Sequence, residues 1–262
     1  MPPFNLLRWK IFFNVLPWTS LFLVVKWLIH LKGWEVWQFD LMTGSLFGAA
    51  TFVIAFILSG TLSDYRSSEE MVAQLASAIE SIQDTALLVA AGHPDYDPTA
   101  LCQSLKQALQ SVLNWLKQGD SLETVNRDLT ALNPQFAQLE AHTSGPIISR
   151  IQGEQGKIRL LLTRMQMIRD TDFLLPAYGL LQIFLLGAIL ALLLIGSDQS
   201  SKTLVVSAFL FTSFLYLVAL IRDLDNPFQY DGTSCVDVDL MPLLALLNRL
   251  DTNLNGVERG LN

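Results

Sequence analysis

The sequence predicts an all-α integral membrane protein with four transmembrane helices in each subunit. The chain of 262 residues is 51% hydrophobic and only 16% charged, and its mean hydropathy is +0.39. This composition is typical of membrane proteins. The apolar residues form four blocks that are each long enough to cross a bilayer as a helix. These blocks are residues 11–31, 41–60, 173–196 and 203–221, and they predict two transmembrane hairpins.

The first hairpin, within residues 1–60, begins with an interfacial segment. Trp9 lies between Arg8 and Lys10 just before the first span, a pattern typical of the membrane interface. Lys26 and His30 lie near the far end of that span. We expect the Lys26 side chain to reach the lipid headgroups. We interpret His30 as an interfacial residue rather than a proton or ligand site.

The second span, residues 41–60, holds no charged residue. Small or hydroxyl-bearing residues recur in it every three or four positions, and such residues allow close helix packing or line a water-filled path. The helix then runs into the polar stretch TLSDYRSSEE at residues 61–70. We expect this helix to line a pore that the other elements hold in place.

The polar region 61–172 predicts a cytosolic bundle of amphipathic helices. Ser67 and Glu70 fit a capping box, so either a new helix begins there or the second span continues without a break. Asp120 is expected to cap a short helix that ends at Leu132, and Asn133-Pro134 is typical of a turn. Longer apolar stripes predict helices over residues 71–91, 98–119 and 146–170.

The sequence Gly119-Asp120-Ser121-Leu122 matches the nucleophile block of one family of lipases and esterases. That chemistry needs the serine on a sharp turn after a strand, with a downstream Asp and His. Here the serine lies between two predicted helices, so we interpret the motif as a helix cap. Phosphate loops, zinc spacings and nucleotide fingerprints are not found in the sequence, and we expect the protein to catalyse no reaction.

The second hairpin, residues 173–221, has no charge inside either span. The tail, residues 222–262, combines an acidic stretch with a predicted amphipathic helix. Its oxygen-bearing side chains surround a Pro-Phe turn and predict either a calcium site or a solvated acidic face. These residues are Asp223, Asp225, Asn226, Asp231, Asp237 and Asp239.

The charge distribution predicts how the chain lies in the membrane. Arg8 and Lys10 precede the first span and Arg222 follows the fourth, whereas the opposite loops at 32–40 and 197–202 hold one lysine each. The positive-inside rule therefore places both termini and the helical region in the cytosol. The net charge of −7 excludes a nucleic-acid partner, because phosphates require a basic surface.

Three segments together resemble the bestrophin family of anion channels. LLRWKIFFNVLP at residues 6–17 is similar to the family's N-terminal segment, in which Arg-Trp-Lys precedes the first span. FILSGTLSDYRSSEE at 56–70 places Tyr65 where bestrophins have an aromatic stretch at the end of the pore helix. LDNPFQYDGTSCVDVDLMPL at 224–243 resembles the family's Pro-Phe block and its acidic stretch. The order of spans and helical regions matches over most of the chain.

The resemblance implies a homopentamer that conducts chloride, or bicarbonate, through a pore lined by the second span. The family's apolar neck positions fall on Thr51, Ala55 and Ser59, which share one helix face. Phe52 and Phe56 lie one residue away and would supply aromatic rings to the pore after a small rotation. The partners expected are membrane lipid, small anions and further copies of this chain.

The resemblance also implies calcium as a ligand of the tail. Asn226 and Asp231 fall on the family's ligand positions, and Asp223 falls on another with a carboxylate in place of an amide. Ser234 stands where a carboxylate would be expected. The alternative function for the whole chain is a non-conducting membrane scaffold or sensor, whose helical region binds a protein partner.

Overall fold

Helices make up the regular structure of the described chain. The structure is a computed structural model and describes residues 4–170, 175–196, 200–230, 232, 234 and 236–260. Trp37 and Ile195 form an isolated parallel bridge outside the helices. The helices are α1 (Phe4–Leu31), α2 (Leu41–Gly92), α3 (Thr99–Gln118), α4 (Leu122–Thr130), α5 (Asn133–Glu140), α6 (Gly145–Asp170), α7 (Leu175–Leu194), α8 (Ser200–Asp225) and α9 (Met241–Gly260).

Four of these helices are long and apolar enough to cross a membrane. They are α1 from Trp9 to Leu31, α2, α7 from Ala177 to Leu194, and α8 from Ser201 to Asp225. The fold class predicted from the sequence, an all-α multi-pass integral membrane protein, is therefore confirmed. The boundaries assigned to the four regions of the chain stay a prediction.

The chain divides into two compact units, which we name the membrane unit and the helical unit. The membrane unit comprises Met1–Tyr65, Thr171–Pro227 and Thr233–Val236. The helical unit comprises Arg66–Asp170, Phe228–Gly232 and Asp237–Asn262. The helix α2 contributes its first part to the membrane unit and its second part to the helical unit.

The core of the membrane unit lies where α1, α7 and α8 pack together with the first part of α2. Phe22 of α1 stacks on Phe211 of α8, with ring centroids 4.3 Å apart. Ala50, Ala188 and Ala191 are fully buried, and side chains of this size allow helices in a membrane to approach closely. Apolar shape and small residues therefore hold the spans together.

A buried lysine joins three elements of the membrane unit. Lys26 of α1 is only 1% exposed, and its Nζ lies 3.0 Å from Oε1 of Glu35 in the loop between α1 and α2. The same Nζ donates to the carbonyl oxygen of Leu193 at 3.1 Å and to that of Ile195. These carbonyls belong to the C-terminal end of α7, where the helix dipole favours a cation. The expectation that Lys26 reaches the headgroups is wrong, because the ammonium finds these acceptors inside the protein.

Further side-chain and main-chain contacts strengthen the same junction. His30 Nδ1 lies 2.9 Å from Oε2 of Glu35, so this carboxylate contacts two α1 side chains. The loop N–H of Trp37 donates to Leu194 O at 3.2 Å, and the N–H of Gly196 donates to Trp37 O at 2.8 Å. The loop after α1 is thus fixed to the end of α7 by both side-chain and main-chain contacts.

The helical unit is built around amphipathic helices, as the sequence predicted. The helix α3 packs against α4, α5 and α9, and its buried face includes Leu105, Leu109 and Leu116. It ends at Gly119, whose φ of 76° is left-handed and favours glycine. Arg169 of α6 donates to the carbonyl oxygen of Trp115 at 2.8 Å and lies over that ring.

Three local expectations are corrected or resolved by the structure. The N-cap of α4 is Ser121, not Asp120, because the Ser121 hydroxyl accepts the N–H of Glu123 at 3.1 Å. Asn133-Pro134 begins a helix instead of a turn, since proline is well suited to the first helical turn. No helix starts at Ser67, because α2 continues through it without a break.

Replacing Lys26 by Met is expected to destabilise the membrane unit strongly. Removal of one partner leaves the Glu35 carboxylate without its buried cation, which costs about 3 kcal/mol in comparable buried pairs. We expect a lowered melting temperature of the detergent-solubilised protein, measured by differential scanning fluorimetry. The control is Lys32→Met, because Lys32 is exposed and lies over the Trp34 ring at 4.7 Å. Equal melting temperatures for Lys26→Met and the wild type would contradict the role of this ion pair.

Protonation of the Glu35 carboxylate is also expected to lower the stability of the folded protein in acid. Burial raises the pKa of this carboxyl, but the hydrogen bonds from His30 and Lys26 and their charges outweigh burial and hold the pKa below its ordinary value of 4.5. A depressed folded-state pKa contributes stability above pH 4.5 that is lost as the pH falls through the folded-state pKa. Melting temperatures measured from pH 7 to pH 3 should fall more steeply for the wild type than for Glu35→Gln. Parallel curves would contradict this prediction.

Candidate functional site

All the predicted pore residues lie on one face of α2, the face that the core of the membrane unit does not cover. Ala50, Ile54 and Ile57 are buried on the opposite side of the helix. We name the exposed face the α2 stripe. It comprises Ser45, Gly48, Thr51, Phe52, Ala55, Phe56, Ser59 and Ser63, which are all exposed. The stripe holds no charged residue.

The two phenylalanines dominate the surface of the α2 stripe. Phe52 and Phe56 are 71% and 72% exposed, and their rings stack with centroids 6.4 Å apart. One turn separates the two residues along the helix, so each ring would contribute one apolar layer. Aromatic ring edges carry partial positive charge and can face an anion.

The hydroxyl groups of the stripe are partly engaged by their own helix. Thr51 Oγ1 donates to the carbonyl oxygen of Phe47 at 2.8 Å, and Ser45 Oγ donates to that of Leu41 at 2.8 Å. In this arrangement the oxygen lone pairs, not the hydroxyl protons, face outward. Beside Thr51 and Ser45, the phenylalanine edges therefore supply positive partial charge on this face.

The predicted calcium ligands are only partly described. Asp223 lies in the last turn of α8, is half-buried and has an interaction partner. Asn226 follows α8, and its buried side-chain oxygen Oδ1 has no hydrogen-bond partner within the described residues. A free carbonyl oxygen of this kind fits a hard cation such as calcium. Asp231 lies outside the described residues.

Other candidate ligands of the tail do not form a cluster. Ser234 Oγ accepts the N–H of Val236 at 3.1 Å, which gives this hydroxyl a local structural role. Across the residues that the structure describes, no group of three or more His, Cys, Asp or Glu side chains is arranged to hold a metal ion. The predicted calcium site would thus consist of Asn226, Asp223 and Asp231, the last of which lies outside the described residues.

The esterase-like motif is a helix cap in the structure. Ser121 lies on the loop between α3 and α4, and its hydroxyl oxygen is used to accept the N–H of Glu123. The residues around it are helical, so the strand that a nucleophile elbow needs is not there. The geometry therefore supports the interpretation of this motif as a helix cap.

Sequence reasoning missed the junction between Lys26, Glu35 and the end of α7. The available signal was a lysine inside an apolar span, followed nine residues later by a carboxylate in a short loop. Charged residues inside a membrane span usually pair with one another or with backbone carbonyls. That rule identifies Glu35 as a partner for Lys26, whereas the carbonyls of α7 are visible only in the structure.

Solved structures of very similar shape include bestrophin homologs. A bacterial bestrophin homolog from Klebsiella pneumoniae with a single substitution superposes with a TM-score of 0.72 at 19% identity, over 94% of this chain and 97% of that chain. Another variant of a bestrophin homolog from the same organism gives 0.70 at 17% identity, over 95% and 97%. A crystal structure described as a membrane protein gives 0.74 at 18% identity, over 94% and 97%.

These similarities define the fold of the chain. No protein-family model matches the sequence, and no curated protein matches it either. At the identities found, the similarity is one of structure, and it extends over nearly the whole length of both chains. The protein therefore has a bestrophin-like fold, which confirms the resemblance seen in the sequence.

Proposed function

We propose that this protein is a bestrophin-like anion channel, in which a homopentamer surrounds a pore lined by the α2 stripe. The observation that carries this proposal is the placement of Thr51, Phe52, Ala55, Phe56 and Ser59. All of them lie exposed on one uncharged face of a membrane-spanning helix, within a bestrophin-like fold. A lone subunit would present this face to lipid, whereas a ring of subunits would turn it toward a shared axis.

The chemistry of the stripe supports passive conduction of chloride, with bicarbonate as a second permeant anion. Rings formed by Phe52 and Phe56 would make a narrow apolar neck, and such a constriction can close by dewetting. An anion that has shed part of its water could be stabilised by ring edges and by hydroxyls that rotate toward it. No step of this process makes or breaks a covalent bond, so the proposed activity is transport and not catalysis.

The orientation that we propose places both termini and the helical unit in the cytosol. It rests on Arg222 at the last turn of α8 and on Lys10 at the start of the first span. Cations concentrate on the cytosolic side of membrane proteins. Membrane lipid then contacts the outward surfaces of α1, α7 and α8.

Ala55→Trp is expected to block ion flux without preventing assembly, because the indole would fill the neck from an exposed position on the stripe. The measurement is chloride flux from liposomes, together with the mass of the detergent-solubilised complex. The matched control is Val205→Trp, since Val205 is 67% exposed on α8 and away from the stripe. We expect Val205→Trp to conduct as the wild type does.

Each outcome of this experiment has a distinct meaning. A pentameric wild type that passes chloride, with flux lost only in Ala55→Trp, supports the channel. Reversal potentials in unequal potassium chloride that follow potassium would overturn the choice of anion. A wild-type complex without flux, whose mass falls in Ala55→Trp, favours the alternative scaffold with the stripe as a packing face.

We also propose that calcium binds at Asp223, Asn226 and Asp231, supported by the free buried oxygen of Asn226. Calcium prefers carboxylate and carbonyl oxygens, and loss of one carboxylate ligand should weaken binding by about tenfold or more. Isothermal titration of the solubilised complex with calcium should show this loss for Asp231→Ala. The exposed Asp120 gives the control Asp120→Ala, which should bind as the wild type does. Equal affinities in all three proteins would refute the site.

A further inference from the structure

Two of the three histidines of the chain come together in the helical unit. His93 follows α2 directly and His142 lies just after α5, and their ring centroids are 6.5 Å apart. His93 is exposed and His142 is half-buried. The two rings come from separate loops, so spacing along the sequence does not reveal that they meet. We name these two residues the histidine pair.

A backbone hydrogen bond sets the tautomer of His142. Its Nδ1 lies 3.1 Å from the carbonyl oxygen of Gln138, and a carbonyl oxygen can only accept, so Nδ1 carries the proton. In the neutral ring the lone pair is therefore on Nε2, which makes no hydrogen bond to the described residues. Histidines that bind metals commonly donate their other N–H to a backbone carbonyl in this way. The His142 ring is thus prepared to bind a metal ion through Nε2.

Backbone and ring contacts hold the histidine pair in place. The ring of the buried Tyr96 packs on His142 with centroids 5.4 Å apart, and the Tyr96 N–H donates to the carbonyl oxygen of His93 at 3.0 Å. The His93 N–H donates to Val89 O at 2.9 Å, and the His142 N–H donates to Leu139 O at 3.0 Å. Both histidines are therefore anchored through their main chains at the ends of helices.

The separation of the two rings is close to that of two histidines on one metal ion. A metal held by a histidine nitrogen at about 2 Å lies about 3.2 Å from the ring centre, so two rings that share an ion have centres about 5 to 6 Å apart. The exposed His93 side chain is free to change its rotamer, and a small rotation brings the two ring centres into that range. The histidine pair can therefore supply two nitrogen ligands, with water in the remaining positions.

The electrostatic surroundings of the histidine pair favour a cation. The helix α2 ends directly before His93 and α5 ends just before His142, and the C-terminal end of a helix carries partial negative charge. Each histidine also has an exposed carboxylate within two residues along the chain, Asp95 for His93 and Glu140 for His142. Residues 67–105 and 128–149 contain no Lys or Arg, so neither loop brings a competing positive charge.

We propose that the histidine pair binds a divalent transition-metal ion, and that zinc is the ion that fits it best. Imidazole nitrogen suits zinc, copper and nickel, whereas calcium and magnesium prefer oxygen ligands. Zinc has no geometric preference of its own, so it accepts two protein ligands together with water. The ion would join the loop after α2 to the end of α5 and stabilise this part of the helical unit by mass action. The site does not depend on conduction or on a ring of subunits.

Zinc titration of the full detergent-solubilised chain tests the site, with excess calcium present to occupy sites built from oxygen ligands. We expect isothermal titration calorimetry to show one zinc ion per chain. His93→Gln and His142→Gln should each weaken binding by about tenfold or more, because each removes one of the two nitrogen ligands. The matched control is His30→Gln, which removes the histidine that contacts Glu35 in the membrane unit and should bind zinc as the wild type does.

The stoichiometry distinguishes one shared ion from two separate ones. A double variant with His93→Gln and His142→Gln should bind zinc no more weakly than either single variant, because one substitution already breaks a shared site. Two ions per wild-type chain, with one lost in each single variant, would overturn the pair. Equal zinc affinities of the wild type and both single variants would also overturn it.

Copper(II) reports the ligands directly and separates ligation from an indirect structural effect. Pulsed electron paramagnetic resonance of the copper-loaded protein should count two bound imidazoles in the wild type and in His30→Gln, and one in His93→Gln or His142→Gln. Two imidazoles in all of these variants would contradict the assignment. Zinc binding that survives both histidine substitutions and is lost in Cys235→Ser would assign the ion to a thiol and refute the proposal.

Discussion

The ion pair between Lys26 and Glu35 is the constraint on which the membrane unit depends. A charge at this depth is costly unless its partners are supplied, and here they come from two further elements, the loop after α1 and the end of α7. The same contacts that neutralise the lysine therefore fix the loop that leads into α2. The loop that precedes the α2 stripe is therefore fixed by a lysine on a different helix.

The helix α2 serves both units because its two sides differ along its whole length. In the membrane unit its inner side supplies Ala50, Ile54 and Ile57 to the core, and in the helical unit the same role falls to Leu75, Ile79 and Ile82. Its outer side changes from aromatic and hydroxyl groups to carboxylates. The first chemistry suits the proposed ion path, and the carboxylates continue the same outer face of the helix in the helical unit.

Much of this structure could be predicted from residue patterns, for identifiable reasons. Four apolar blocks define the spans because bilayer thickness sets their length, and the stripe of small residues marks the exposed side of α2 because helical periodicity is regular. The prediction of a loop turn at Asn133-Pro134 was wrong, because proline is favoured in the first turn of a helix as well as in loops. The environment of Lys26 could not be predicted, because its carbonyl partners lie more than 160 residues away along the chain. The pore residues stay a prediction, because the face of a helix does not show what surrounds it.

The close approach between Gly196 and Glu35 has a consequence for random mutagenesis. A Cβ at Gly196 would lie 2.6 Å from the Cβ of Glu35 and 3.0 Å from its Oε2, so even alanine would displace the side chain that pairs with Lys26 and His30. A methyl group at Gly196 would thus disturb the ion pairing of the Glu35 carboxylate. Screens for conditional alleles should recover this position among heat-sensitive variants, with second-site suppressors that shorten residue 35 or remove the charge at residue 26.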